Sequence, residues 1–250
     1  VPLARAIAGR PSPRPVVVVL NPPGGAPSDF DLVWASRHDR LSGRFDNVVE
    51  TVTAPGRLAP GDLLPAAERL APRIPHLARP VVSVLIGGAS RAYRFGRTEA
   101  EELGTVLAGY AAAHEASLLV TTSRRTGAAN RRIIAEKLSG ASAFVWDGSG
   151  ENPLAGMIGL ADALVVTCES INMLSEAALS GRSLYAWPLP GGRAKFERFH
   201  RALAEAGIMR WFDGRLDRWT YAPPDAAAAI ADAIRERFPG IAASAAPPGA

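Results

Sequence analysis

Short runs of apolar, mostly β-branched residues alternate along the chain with longer stretches of helical composition. This alternation is typical of βαβ units and a parallel sheet. The apolar runs are continuous, which indicates strands that helices cover on both faces. The pattern predicts strands at Val16–Leu20, Val81–Ile86, Leu118–Thr122, Ala143–Trp146, Leu164–Thr167 and Leu184–Trp187. It predicts helices at Glu99–His114, Gly127–Leu138 and Ile171–Leu179.

The same pattern predicts two α/β domains. Three prolines between residues 72 and 80 precede a fresh strand, so we place a linker there. Residues 1–76 then form a partial N-terminal Rossmann-like domain of about three strands. Residues 77–240 form a C-terminal domain whose five predicted strands make a doubly wound sheet. The final residues, 241–250, are rich in alanine and proline, and we expect a disordered tail.

Composition narrows the class of protein. Apolar residues make up 48% and charged residues 21% of the 250 residues, as in globular proteins. The longest apolar stretch, 154–167, contains Asp162 and is shorter than the roughly 20 residues that a bilayer span needs. No signal-peptide pattern is visible. Cys168 is the only cysteine, which excludes an intramolecular disulfide and a cysteine-rich metal site. We expect a cytoplasmic protein, with peripheral contact at the inner membrane left open.

The net charge of +4 narrows the choice of ligand. The excess is carried by scattered arginines, without a basic run or interleaved aromatic residues, so nucleic acid is not an expected partner. A phosphorylated ligand fits this charge better than a membrane surface does.

Five loops should meet at one edge of the predicted sheet, because ligands of open parallel sheets bind beyond the carboxyl ends of the strands. They are rich in glycine, hydroxyl and charged residues, and they cover residues 87–91, 123–126, 147–153, 168–172 and 190–195. Glycines let backbone amides approach a phosphate, helix N-termini attract anions, and guanidinium groups match phosphate oxygens. The loops therefore predict a diphosphate-plus-ribose site, with Glu176 as an acceptor for ribose hydroxyls.

Each of these features also has a purely structural interpretation. Gly87-Gly88 is compatible with a tight turn, and Arg124-Arg125 with a solvated helix start. Ser170 is compatible with an N-cap, and Glu176 with an ordinary surface carboxylate. The convergence of five loops on one edge favours the ligand site.

A dinucleotide-binding oxidoreductase is the natural competitor. The G-x-G-x-x-G fingerprint follows none of the strands, and no acidic residue ends the strand Leu118–Thr122. P-loop, G-x-S-x-G and H-E-x-x-H motifs are also missing from the sequence. We expect neither a cofactor nor a bound metal.

Four motifs follow one another in order along the second domain: Leu85-Ile86-Gly87-Gly88, Thr121-Thr122-Ser123-Arg124-Arg125-Thr126, Asp147-Gly148-x-Gly150-Glu151-Asn152-Pro153 and the run Val166–Ala177. Together with His38-Asp39 and Trp219-x-Tyr221 they resemble the elongated-mitochondria (mitochondrial fission) family. The alanine- and arginine-rich composition suggests a bacterial member. Bacterial members of this family are usually described as GT-B glycosyltransferases, and the resemblance spans nearly the whole chain.

The resemblance implies a GT-B-like fold of two Rossmann-like domains, with the donor bound by the C-terminal one and the helix Asp225–Phe238 packed back on the first. The family's N-terminal domain begins earlier, so we expect an incomplete one here. Sugar would pass from a nucleotide-diphosphate sugar to a lipid-linked or cell-envelope acceptor. His38 or Asp39 would be the catalytic base. The expected donor-binding residues are Gly87, Gly88, Ser90, Ser123, Arg124, Arg125, Thr126, Asn152, Pro153, Ser170, Asn172, Met173 and Glu176.

A rival from another class stays open. The plant members of the family recruit a dynamin-like protein to membranes during organelle division. A non-catalytic interaction protein built on the GT-B scaffold is therefore the alternative hypothesis.

Overall fold

Two separate parallel sheets form the framework of the protein. The computed structural model describes residues 2–9, 15–22, 24–41, 43–74 and 76–240. Within that part of the chain every paired strand runs parallel to its neighbours. The predicted α/β class is confirmed.

The first unit comprises the described residues up to Pro55 and those from Asp225 onward. Its sheet has the order β1-β2-β3, with β1 at Val18–Leu20, β2 at Leu32–Ser36 and β3 at Val48–Thr51. Helix α1, Pro2–Ala8, precedes the sheet. The last helix, Ala226–Arg237, belongs to this unit, because its Ile230 packs on Leu32 and Trp34 of β2. The expectation that the C-terminal helix packs on the first domain is confirmed.

The second unit spans Gly56–Pro224 and contains a six-stranded sheet. Its strands are β4 (Val81–Ile86), β5 (Ser117–Thr122), β6 (Ala143–Val145), β7 (Ala163–Thr167), β8 (Leu184–Trp187) and β9 (Met209–Trp211). Its helices are α2 (Leu63–Leu70), α3 (Arg97–His114), α4 (Ala128–Lys137), α5 (Leu154–Leu160), α6 (Ile171–Ala178) and α7 (Ala194–Glu205), and the helix Ala226–Arg237 of the first unit is α8. The strand order β6-β5-β4-β7-β8-β9 is that of a doubly wound Rossmann sheet.

The division between the units differs from the domains 1–76 and 77–240 expected from the sequence. Helix α2 lies within the second unit, where it packs against α5. The proline-rich segment after it is also part of that core, since Ile74 and Leu77 pack against Leu70 and Val81. The described part of this segment is therefore packed within the second unit and does not link the two units. The predicted tail 241–250 lies outside the described residues.

Two glycines allow α2 and α5 to pack closely. A Cβ atom added at Gly156 would lie 2.7 Å from the carbonyl oxygen of Ala66, and one at Gly159 would overlap the carbonyl of Leu63. Any larger side chain at either position would push the two helices apart. This contact attaches α2 to the six-stranded sheet.

Candidate functional site

The candidate site lies at the carboxyl edge of the six-stranded sheet, where β4 and β7 are neighbours. The chain leaves β4 towards β5 on one side and leaves β7 towards β8 on the other. The two loops therefore diverge, and in open α/β sheets ligands bind in the crevice at such a point. Because all six strands are parallel, the predicted loops all leave this same edge.

The loops after β4 and β5 are locked together. Gly88 has a φ of +106°, and a Cβ atom added to it would lie 2.5 Å from the backbone of Arg125. The Ser123 hydroxyl donates a hydrogen bond to the Gly87 carbonyl, and the Thr126 hydroxyl donates one to the end of β4 over 3.1 Å. Gly88 is thus required by the close approach of a second loop, and Ser123 and Thr126 hold that loop in place.

The amide of Gly87 is already engaged within the protein. Its N–H donates to the Thr167 hydroxyl at the end of β7 over 2.8 Å. This corrects the expectation that both glycine amides are available to a phosphate. The bond instead ties β4 to β7 at the point where the site begins.

Glu169 lies in the predicted loop 168–172, but it was not among the expected donor-binding residues. It is the second residue after the end of β7, and its side chain is 0% exposed. An added Cβ at Gly87 would overlap the Glu169 carboxylate, whose Oε1 lies 3.3 Å from Nη2 of Arg125. A charged residue just after a buried strand was the available signal for this position.

Burial raises the pKa of the Glu169 carboxyl to about 7, because the charged form loses its hydration. The Thr167 hydroxyl, the Arg125 guanidinium and the Gly88 backbone N–H act in the opposite direction. Oε2 of Glu169 has no hydrogen-bond partner among the residues that the structure describes. The site thus contains a buried carboxyl group that titrates near neutral pH.

The cationic face of the site comes from two exposed arginines. Arg125 is 43% exposed on its side chain while it pairs with Glu169, so part of its guanidinium group faces solvent. Arg124 is exposed, and none of the described residues pairs with its side chain. Both can offer N–H donors to an incoming anion.

Helix α6 begins beside Glu169 and presents backbone donors to the same edge. Ser170 occupies its N-cap position, but the hydroxyl makes no capping hydrogen bond. The first amides of the helix therefore lack the side-chain acceptor that an N-cap normally supplies.

Three of the predicted donor-binding residues lie on one face of α6. Asn172 is exposed, and Met173 and Glu176 are half-buried, at spacings of three and four residues. Burial raises the pKa of Glu176 above its ordinary value. Its side chain lies beside Gly56.

Other predicted residues have local structural roles. The Ser90 hydroxyl accepts hydrogen bonds from the N–H groups of Ala92 and Tyr93, over 3.2 and 3.1 Å. Asn152 Oδ1 accepts from the N–H of Leu154 over 3.1 Å, and Pro153 is buried at the N-terminus of α5. These contacts shape the loops without pointing to a ligand.

His38 and Asp39 lie in the first unit, on a 3₁₀ turn directly after β2. The imidazole is 3% exposed, with Nδ1 2.6 Å from the Ser36 hydroxyl and Nε2 3.6 Å from Oδ1 of Asp39. The Asp39 side chain is 16% exposed and is the more accessible of the two.

A pocket of about 420 Å³ adjoins the end of β7 on the side of β8 and β9. Leu189 and Trp211 supply apolar walls, and Glu197, His200 and Arg201 of α7 supply polar groups. His200 is buried with Nε2 2.7 Å from the carbonyl oxygen of Cys168, and burial lowers its pKa. The imidazole is therefore neutral at physiological pH.

No group of three or more His, Cys, Asp or Glu side chains suited to a metal ion occurs within the described ranges. Both aspartates of the one D-x-D sequence, Asp29-Phe30-Asp31, have partners within the protein. Asp29 pairs with Arg5 over 2.9 Å, and Asp31 accepts from the N–H of Val17 over 2.8 Å.

The family model of mitochondrial fission ELM1 matches residues 1–238. The chain belongs to the mitochondrial fission ELM1 family. This confirms the resemblance noted from the sequence motifs. Two members of those motifs, Trp219 and Tyr221, are packing residues here: Trp219 stacks with Arg210 at 4.2 Å, and the N–H of Tyr221 donates to the Gly181 carbonyl.

Two curated relatives are similar to the chain. The mitochondrial fission protein ELM1 of Arabidopsis thaliana is 28% identical over 94% of this chain and 61% of its own length. An uncharacterized protein of Rickettsia prowazekii (strain Madrid E) is 29% identical over 68% of this chain and 50% of its own length. The chain thus spans one half to three fifths of these relatives.

A glycosyltransferase and a wall teichoic acid polymerase are among the similar solved structures. WaaG, which takes part in lipopolysaccharide biosynthesis, is 15% identical with a TM-score of 0.40 over 72% of this chain and 49% of its own. The wall teichoic acid polymerase TagF is 15% identical with a TM-score of 0.36 over 64% and 40%. Structural similarity at these identities and TM-scores gives no evidence about the activity of the ELM1-family chain.

No helix in the described part of the chain is long and apolar enough to cross a membrane.

Proposed function

We propose that the second unit binds a nucleotide-diphosphate sugar at the carboxyl edge of its sheet, and that the protein transfers the sugar to a lipid-linked or cell-envelope acceptor. The observation that carries the proposal is the meeting of three loops at the junction of β4 and β7. There the loops after β4, β5 and β7 contact one another and present Arg124, Arg125 and the N-terminus of α6. Guanidinium groups and helix N-termini are the groups that bind diphosphates in doubly wound sheets.

The diphosphate would bind against the solvent-facing side of Arg125, with Arg124 and the first amides of α6 as further donors. When the bond between the anomeric carbon and the diphosphate oxygen breaks, negative charge develops on the leaving diphosphate. Fixed cationic groups stabilise that charge without a bound metal. Glu176 would accept hydrogen bonds from the ribose, with Asn172 and Met173 on the same helix face. The pocket beside Cys168 and Trp211 offers room for the sugar.

Transfer also needs a base for the acceptor hydroxyl. The base takes the hydroxyl proton while the acceptor oxygen forms its bond to the anomeric carbon. Asp39 is the better candidate of the predicted pair, because the His38 imidazole is buried and its ring nitrogens face Ser36 and Asp39. We propose a cytoplasmic setting, with acceptor transfer at the inner membrane.

The name of the Arabidopsis relative, a mitochondrial fission protein, favours a second candidate function. In that case the chain is a non-catalytic interaction protein, and the crevice at β4 and β7 has no ligand.

Ligand-dependent melting separates the two functions. A protein that binds UDP-sugars or GDP-sugars gains about 2.7 kcal/mol of unfolding free energy at a hundredfold excess of ligand over its Kd. We expect a rise in Tm with one of these ligands and none with the matching free sugar. An unchanged Tm with every nucleotide-sugar would favour the interaction protein.

A further inference from the structure

We infer that Glu169 takes up a proton when the diphosphate binds, so that ligand binding by this chain is coupled to protonation of a buried carboxyl group. The inference rests on the proposed nucleotide-diphosphate site and adds a property of that site. It starts from a conflict of charge, because a carboxylate lies where an anion is proposed to bind.

The geometry places this carboxylate beneath the cationic face of the site. The side chain of Glu169 covers the Cα of Gly87, and its Oε1 lies 3.3 Å from Nη2 of Arg125. The carboxylate is fully buried, whereas 43% of the Arg125 side chain is exposed. An anion that binds to the outer side of Arg125 is therefore separated from Glu169 by one guanidinium group.

The second oxygen of the carboxylate provides a place for the proton. Oε2 is buried and accepts no hydrogen bond from the described residues. A buried charged oxygen without a donor is costly, and an additional negative charge nearby increases that cost. Protonation at Oε2, with the proton coming from solvent, removes both penalties and forms no bond to the ligand.

Among the residues that the structure describes, the other titratable and charged groups beside Glu169 do not gain or lose a proton near neutral pH. Arg125, from the loop after β5, keeps its charge throughout this range. The Cys168 thiol beside it has its pKa raised to about 11 by burial. Burial and the neighbouring acidic groups raise the pKa of Tyr93, from the segment after β4, well above its ordinary value. Thr167 and the Gly88 amide are not titratable. Glu169 is the group that can gain a proton.

The experiment measures proton uptake by calorimetry. A UDP-sugar and a GDP-sugar serve as ligands, because their diphosphates are esterified at both ends and carry no proton that titrates near neutral pH. Titrations in two buffers of different ionisation enthalpy give the number of protons bound. We expect uptake of about one proton near pH 8, where free Glu169 is ionised, and about none near pH 5.5, where it is already protonated.

Glu169→Gln should bind the ligand with no proton uptake at either pH. Above pH 7 the affinity of this variant for the nucleotide-sugar should not change with pH. The affinity of the parent should fall there by up to about tenfold per pH unit. Glu205→Gln, an exposed carboxyl at the end of α7, is the matched control and should retain the uptake.

The possible results distinguish a failure of this inference from a failure of the proposed function. Binding without proton uptake near pH 8, or uptake that persists in Glu169→Gln, overturns the inference and leaves the proposed site intact. Failure of the parent to bind any nucleotide-sugar overturns both. If Glu169→Gln does not fold, the inference is tested by the parent protein alone, through the difference in proton uptake between pH 8 and pH 5.5.

Discussion

At the scale of single residues, Glu169 imposes a stability cost that depends on pH. Its pKa is raised from 4.5 to about 7 by folding, so the folded chain holds this proton more tightly than the unfolded chain does. Stability from this group is therefore fully present below the unfolded pKa. It is lost as the pH rises from there through the folded pKa. The difference between the two pKa values corresponds to about 3 kcal/mol.

Glu169→Gln removes this titration, and its effect on stability should change with pH. Relative to the parent, the variant should gain about 3 kcal/mol of unfolding free energy between about pH 4.5 and pH 8. Urea unfolding of both proteins at the two pH values measures this gain. Other titrating groups cancel, because the two proteins share them. A difference that is the same at both pH values would contradict the account.

Residue types at the sheet edge could be predicted from the sequence, but their roles depended on contacts that the sequence does not show. Ser123 and Thr126 were chosen for their hydroxyls, and both hydroxyls bond the neighbouring loop. Glu169 was not chosen, because its burial arises only when the loops after β4 and β7 meet.

At the scale of elements, continuous apolar runs were a sufficient signal for the buried strands. Val81–Ile86 and Leu184–Trp187 were predicted with their observed bounds. Strand β9 was missed, because it has three residues of which two are exposed, so no hydrophobic pattern marks it. Helix α2 is held by contacts with α5, which lies more than eighty residues later in the chain.

The close packing of α2 on α5 gives a prediction for two glycines. Alanine favours a helix over glycine by up to about 1 kcal/mol. At Gly159, however, the added methyl group would overlap the Leu63 carbonyl, and overpacking costs about 1–3 kcal/mol. Gly159→Ala should therefore destabilise the protein. Gly109→Ala in α3 should stabilise it, because nothing lies within 4 Å of the added Cβ. Thermal unfolding of both variants checks this, and a stabilised Gly159→Ala would show that the helices can separate without cost.

At the scale of the whole molecule, the described residues from Asp225 onward belong to the same unit as the N-terminal residues. Helix α8 covers the three-stranded sheet through Ile230, and Arg237 donates a hydrogen bond to the Asp46 carbonyl over 3.0 Å. The family resemblance predicted this arrangement. The boundary near Pro55 could not be predicted from local composition, because it depends on α2 packing within the second unit.

The central claim is that the edge at β4 and β7 binds a nucleotide diphosphate, and calorimetry with Arg124→Ala tests it most directly. Arg124 is exposed and unpaired among the described residues, so its removal leaves no buried partner behind. We expect binding of UDP or GDP to weaken by about 1.5–3 kcal/mol, the contribution of a hydrogen bond to a charged group. Arg79→Ala is the control for the loss of an arginine, since Arg79 pairs with Asp162 and precedes β4 at the opposite edge of the sheet. Equal affinities for Arg124→Ala and the parent, or an equal loss in Arg79→Ala, would contradict the account.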